Sequence, residues 1–182
     1  MGRRGRAVFD GEANTFFITT TFFSFVRILS IGKAYPHILR DSLMYVLEKY
    51  SAKLFAYVFM PSHIHFIIHI PEGESISSFM RDFKKYTSIR MRQQLELDGR
   101  QDWIEELRRN AAGRKHVFKL WMDRFDDIVI KNDRLMRVKV NYIHQNPVRA
   151  GLVDDAEDWD YSSARFYGGK PDNFLPVTHD WF

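Results

Sequence analysis

An α+β fold, a ferredoxin-like split βαβ sandwich with an antiparallel sheet and helices on one face, follows from three observations on the sequence. Segments of strand-like and helix-like hydrophobic periodicity succeed one another as strand, helix, strand, strand, helix, strand, helix. Only Pro61 and Ser62 separate the second and third strands, which makes that pair an antiparallel hairpin. The chain has 182 residues, enough for one domain with a substantial core and too few to require two. The first six segments give the split βαβ order, and the seventh adds a C-terminal helix that carries Tyr142.

Each element has a local cause. Residues 16–22, rich in phenylalanine and threonine, read as the first strand. Pro36 precedes a helix over 37–50, where Ile38, Leu43, Met44 and Leu47 fall at helical spacing. Residues 54–60 and 63–70 are the hairpin strands, and Pro71 and Gly73 end the second. Ser75 caps a helix reaching to about Leu95, with Ile76, Met80, Phe83 and Met91 on its buried stripe and Arg81, Lys85 and Arg92 on the opposite face. Residues 97–116 are charged and punctuated by glycine, and read as an inserted loop with a short helix over 103–109. Residues 125–130 form the last strand. Asn132 then caps a helix that runs to Gln145 and stops at Asn146-Pro147. Around the core domain, 15–153, lie a basic N-terminal segment, 1–14, and a C-terminal extension, 154–182.

Composition narrows the chemistry. The absence of cysteine excludes disulfides, thiolate zinc sites and cysteine nucleophiles, and fits a reducing, cytoplasmic setting. The apolar stretch 16–31 is interrupted by Arg27 and preceded by Asp10 and Glu12, so it reads as strand and loop, not as an export signal. Arg6 stands where the acylation pattern of a Met-Gly start needs Ser or Thr. Net charge is +4, but Asp154, Asp155, Glu157, Asp158 and Asp160 concentrate acid in one stretch and leave the rest more basic. Lysine and arginine gather at 3–6, 81–92, 108–115 and 131–139, patches that suit nucleic acid.

The segment Met60-Pro61-Ser62-His63-Ile64-His65 is the strongest chemical signal. Side chains of a strand alternate, so His63 and His65 project the same way from Cα atoms about 6.6 Å apart and can converge on one cation. Ile64, Phe66, Ile68 and Ile70 form an apolar row on the other side, which leaves the histidine face as the open one. On the last helix the core stripe is Met136, Val140 and Ile143, and Tyr142 and Asn146 share a flank four residues apart. An amide oxygen can join a metal shell there, while the phenol reaches a group bound to the same metal. A phenol with an ordinary pKa near 10 needs such a cation to act as a nucleophile on phosphate at neutral pH.

Three segments together, Phe59 to His65, Trp121-Met122-Asp123-Arg124-Phe125, and Asn141 to Val153 with its Asn146-Pro147-Val148-Arg149-Ala150-Gly151 centre, resemble the REP-associated tyrosine transposases, which belong with the single-tyrosine HUH transposases of small insertion sequences. Trp159, Tyr161, Ser162 and Ser163 are similar to that family's C-terminal pattern. The resemblance implies a catalytic domain over 15–153 that cuts and rejoins single-stranded DNA, often folded as palindromic hairpins. It implies Mg2+ or Mn2+ held by His63, His65 and Asn146, with Tyr142 attacking the scissile phosphate to leave a 5′-phosphotyrosine and a free 3′-OH. Ser62 departs from the Asn or acidic residue common at its position, which bears on how the histidine strand is oriented. The expected partner is single-stranded or hairpin DNA, and the expected form is a monomer or homodimer, cytoplasmic and on the nucleoid when DNA-bound.

Lys139, one turn before Tyr142, and Arg81 and Lys85 on the long helix are the candidate DNA contacts. Tyr86 is the rival nucleophile, but its neighbour one turn on is Arg90, which ligates no cation. His69 lies too far along the strand to complete the shell of His63, and His37, His116, His144 and His179 carry no signal. Two other functions stay open at this point: a non-catalytic ferredoxin-like nucleic-acid binder with an incidental His-x-His, and a metal hydrolase. Ile67 stands where a His-x-His-x-Asp hydrolase would place its acid.

Overall fold

The computed structural model describes residues 14–109, 118–171 and 174–181. The basic cluster at 3–6, His116 and most of the 108–115 cluster lie outside them. Its strands are β1 (Thr15–Thr21), β2 (Lys53–Met60), β3 (His63–His69) and β4 (Asp126–Val129). They form one antiparallel sheet in the order β2-β3-β1-β4, the strand order of the split βαβ layout. The helices are α1 (Ala34–Lys49), α2 (Ile76–Leu97), α3 (Gln101–Arg109), α4 (Asp133–His144), α5 (Asn146–Arg149) and α6 (Ala164–Tyr167). None among the described residues is long and apolar enough to cross a membrane.

The pleat divides the core in two. Ile18, Tyr57, Phe59, Ile64, Phe66 and Ile68 pack on one sheet face against α1 and α2. Phe17, Val58, Met60 and Ile67 pack on the other against Met136, Val140 and Ile143 of α4. The histidine face, expected to be open, is therefore roofed by α4. That is why Ile67, in line with the histidines, is fully buried.

Helix starts follow the capping residues: Ser75 accepts from the amide of Ser78, and Asn132 from that of Leu135 at 2.9 Å. Helix α1 begins earlier than the sequence reading, with Pro36 inside its first turn, where the missing N–H is not needed. Part of the expected loop 97–116 is helix α3, whose Ile104 and Leu107 are buried in the α1/α2 core. Helix α4 ends at His144, within one residue of the expected end. Gln145 follows it and α5 begins at once, with Pro147 in its first turn.

The segment Trp121 to Phe125 is a staple. Trp121 stacks on Phe22 with ring centroids 4.3 Å apart and donates its indole N–H to Thr87 Oγ1 at 2.8 Å. Lys84 donates to the carbonyls of Met122 at 2.8 Å and Arg124 at 3.1 Å, and burial pushes its pKa down to about 8. Trp121→Ala should lower stability by about 3–5 kcal/mol in urea titrations, because it removes a large buried ring and its hydrogen bond to Thr87 Oγ1. Trp121→Phe, which keeps the stack, should cost less.

Residues of the expected C-terminal extension pack on this same body. Tyr161 and Ser163 exchange backbone hydrogen bonds with Phe59 and Tyr57, which adds a short ribbon to the outer edge of β2. Behind it, His144 Nε2 meets Ser163 Oγ at 2.9 Å, and the His144 ring lies against Tyr167. His144 thus ties α4 to that ribbon, a structural role that its sequence context did not signal.

Candidate active site

Four elements meet on the roofed face. β3 supplies His63 and His65, whose ring centroids are 4.9 Å apart. β1 lies beside it with Thr21 opposite His63 and Thr19 opposite His65. The Thr19 hydroxyl sits 2.8 Å from His65 Nδ1, and the Ser62 hydroxyl 3.2 Å from His63 Nδ1. Hydroxyls in these places fix the ring orientations, which is what the departure at Ser62 contributes here. His69, at the far end of β3, is held by Thr15 at 3.2 Å, apart from the pair.

α4 brings Tyr142 over the same spot. Its ring meets the edge of His65 at 5.4 Å and that of Phe17 at 5.7 Å, while His65 stacks on Phe17 at 5.5 Å. Tyr142 remains 39% exposed, so the phenol is supported from below and open to solvent above. α5 places Asn146 in hydrogen-bond contact with the His63 side chain. The four residues singled out as catalytic or metal-binding thus come together, although Tyr142 and Asn146 sit on either side of a helix interruption.

Two cations border the phenol. Lys139 Nζ lies 4.5 Å from the Phe17 ring centre and 5.6 Å from that of Tyr142. The Arg149 guanidinium lies 4.6 Å over the Tyr142 ring and donates to the Tyr142 carbonyl at 2.8 Å. The sequence reading does not single out Arg149, because it ends the helix at Asn146-Pro147 and does not foresee α5 beyond it. Read through that point, Arg149 stands seven residues from Tyr142, two turns on and on the same side.

Burial lowers the pKa of both histidines: His65, only 4% exposed, falls to about 3, helped by His63, Arg149 and Lys139, while the Asn146 contact partly offsets the drop at His63. Neutral imidazoles with Nδ1 held by hydroxyls are in the form that ligates metal. The residues fit a divalent cation: two imidazoles and an amide oxygen supply part of a shell and leave positions for phosphate oxygens. Among the described residues no group of three His, Cys, Asp or Glu side chains converges. The register of β4 does put Asp126 opposite Thr19 on the histidine face, with β1 between it and His65.

Arg81 and Lys85 do not join the site. They are exposed on α2, which packs on the other sheet face, and Arg81 pairs with Asp82 at 3.4 Å. Tyr86 belongs to that side too, its hydroxyl 3.2 Å from that of Tyr45. Trp121 is buried, and Trp159 donates to the Phe59 carbonyl, so both are packing residues.

The family described as IS200-like transposase matches residues 30–146. A Haemophilus influenzae protein assigned by name to the REP-associated tyrosine transposases is 28% identical over 164 residues, spanning 83% of this chain and 88% of that protein. The Escherichia coli REP-associated tyrosine transposase is 29% identical over 144 residues, 79% of this chain and 70% of that one. Among solved structures, a REP-associated tyrosine transposase bound to a REP hairpin aligns with TM-score 0.66 and 25% identity, covering 100% of this chain and 95% of that one.

Proposed function

The chain belongs to the IS200-like transposase family, and from that membership and the site we propose a metal-dependent strand transferase that cuts and rejoins single-stranded or hairpin DNA through Tyr142. The observation that carries this reading is the solvent-open Tyr142 phenol set against His65, with Asn146 on His63 and Lys139 and Arg149 alongside. The relative bound to a REP hairpin supports a hairpin substrate.

His63, His65 and Asn146 would hold Mg2+ or Mn2+, which supplies Lewis-acid polarisation of the scissile phosphate. Tyr142 does the covalent work. Its oxygen forms a bond to phosphorus, the P–O3′ bond breaks, the phenolic proton passes to solvent, and the departing 3′ oxygen takes one up. The product is a 5′-phosphotyrosine and a free 3′-OH, and attack by another 3′-OH reverses the step without a nucleotide cofactor. Arg149 and Lys139 set positive charge beside the ring, where it would meet the phosphate, and the packing of Tyr142 on Phe17 and His65 limits its rotamers.

The test is a labelled single-stranded hairpin incubated with the protein and Mn2+, resolved on a denaturing gel. A protein-linked DNA band that EDTA abolishes is expected. Cleavage of perfect duplex should be much weaker, because stacked, paired strands hinder in-line approach to a phenol held on a helix. Retention of hairpin DNA with no covalent band under any divalent cation would favour a binding protein instead. Binding should weaken steeply with salt, as phosphate contacts require.

Coupling between the ligands gives a further expectation. The candidate shell is neutral and lies beside two cations, so Mn2+ should bind weakly alone and tighter once phosphate brings negative charge. By linkage, the factor must equal that by which Mn2+ tightens DNA binding. Calorimetric titration of Mn2+ with and without hairpin DNA checks both. Equal Mn2+ affinity in the two titrations would remove phosphate from the shell.

A further inference from the structure

Between β1 and α1 the chain holds an exposed aromatic in a strained conformation. Phe25 is 66% exposed, while Phe22, Val26, Ile28 and Leu29 around it are buried. Ser24 and Phe25 both have positive φ, 53° and 56°, a region that disfavours L side chains and that neither occupies by virtue of being glycine. The loop is nonetheless tightly tied. Phe22 donates its amide to the carbonyl of Ser62 at 3.0 Å, Leu29 to that of Pro61 at 3.4 Å, and Phe23 to that of Leu120 at 2.8 Å. The first two anchors are on the turn leading directly into His63. Lys119 Nζ lies 4.4 Å over the Phe23 ring and pairs with Asp123 at 3.0 Å, which holds the 119–123 segment beside the loop.

We propose that Phe25 is a base-stacking platform: its ring takes an unpaired nucleobase next to the nucleotide whose phosphate lies at His63 and Tyr142. This rests on the single-strand reading above and extends it to how the strand is held. A phenylalanine in water brings no packing stability and two strained residues oppose folding, a cost that a use of the ring outside the fold would offset. A rigid ring loses little freedom on stacking, and every base offers a π face. Along the strands the order fits a track, with the loop and Pro61-Ser62 at the His63 end, Tyr142 at His65 and Lys139 beyond at Phe17. Phe22, Val26, Ile28 and Leu29 root the loop in the α1/α2 core and leave Phe25 at the end of the sheet. A strand stacked at one end would cross the phenol and reach the lysine.

The test uses the full chain with Phe25→Ala, Phe25→Leu, Phe25→Trp and Phe25→Gly. Binding of fluorescein-labelled oligothymidylate, and of a blunt duplex of equal length, is followed by anisotropy. Phe25→Ala should weaken oligothymidylate binding about tenfold, the worth of one base–aromatic stack, and leave duplex binding unchanged. Phe25→Trp should bind as tightly as wild type or tighter, and Phe25→Leu should fall between. Phe25→Gly, which relieves the positive φ, should melt no lower than wild type yet bind as weakly as Phe25→Ala. Tight oligothymidylate binding by wild type and Phe25→Ala alike would overturn the platform and leave the strand-transferase reading standing. Failure of wild type to bind any single strand would overturn both. A change of oligomeric state in Phe25→Ala, seen by gel filtration, would assign the ring to a protein contact and overturn the proposal.

Discussion

Tyr142→Phe is expected to bind hairpin DNA and Mn2+ as the wild type does while forming no covalent product, with cleavage reduced by roughly a thousandfold or more. The change removes one oxygen and keeps the ring on Phe17 and His65 and under Arg149, so the melting temperature should not move. Tyr86→Phe should trap DNA normally, because that hydroxyl meets Tyr45 on the far side of the sheet. A denaturing gel of labelled hairpin, with the linked tyrosine mapped by mass spectrometry, decides between them. A band retained in Tyr142→Phe and lost in Tyr86→Phe would move the chemistry to α2.

The two histidine variants should part company on stability and agree on activity. His63→Ala and His65→Ala each remove one of two imidazoles, and neither should cleave hairpin DNA detectably in saturating Mn2+. Only His65→Ala should unfold easily. Its ring is buried, stacked on Phe17 and bonded to Thr19, so truncation leaves a cavity and an unpaired hydroxyl and costs about 2–4 kcal/mol in urea unfolding. His63 is half-buried at the strand end, and its loss should cost no more than about 1 kcal/mol. Wild-type cleavage by either variant would displace the site, and wild-type stability of His65→Ala would mean the ring contributes no packing. Asn146→Ala should cleave slowly and recover in part with excess Mn2+, since one neutral ligand weakens the shell without abolishing it.

Short-range patterns announced much of this. Alternation placed His63 and His65 on one side of β3, a two-residue connection fixed the hairpin, and Asn132 marked the start of α4. Longer-range facts were not legible. That α4 roofs the histidine face depends on how Met136, Val140 and Ile143 dock onto Phe17 and Ile67, which local periodicity does not specify. His65, on the face that alternation leaves open, is therefore buried. Thr19 enters the site through strand pairing across 46 residues, and Arg149 through the short α5 that starts after Gln145. Arg81 and Lys85 share the exposed face of α2 that helical periodicity predicts, but periodicity does not say which sheet face α2 covers. Phe25 escaped notice because its exposure and backbone strain exist only once the loop is tied to Ser62 and Leu120.

The ribbon along β2 bears on how the chain folds during synthesis. Tyr57 finds its Ser163 partner 106 residues later. At about 5–20 residues per second a ribosome needs roughly 5–20 s to make that stretch, whereas a hairpin such as β2-β3 closes in microseconds. For that interval the nascent sheet exposes the unpaired amides of Tyr57 and Phe59, an open template for strands of neighbouring chains. The same ribbon that completes the native edge is thus a late-arriving gatekeeper, and variants that loosen it at Ser163 or His144 should accumulate as inclusion bodies at high expression before any loss of activity is measurable in the fraction that folds.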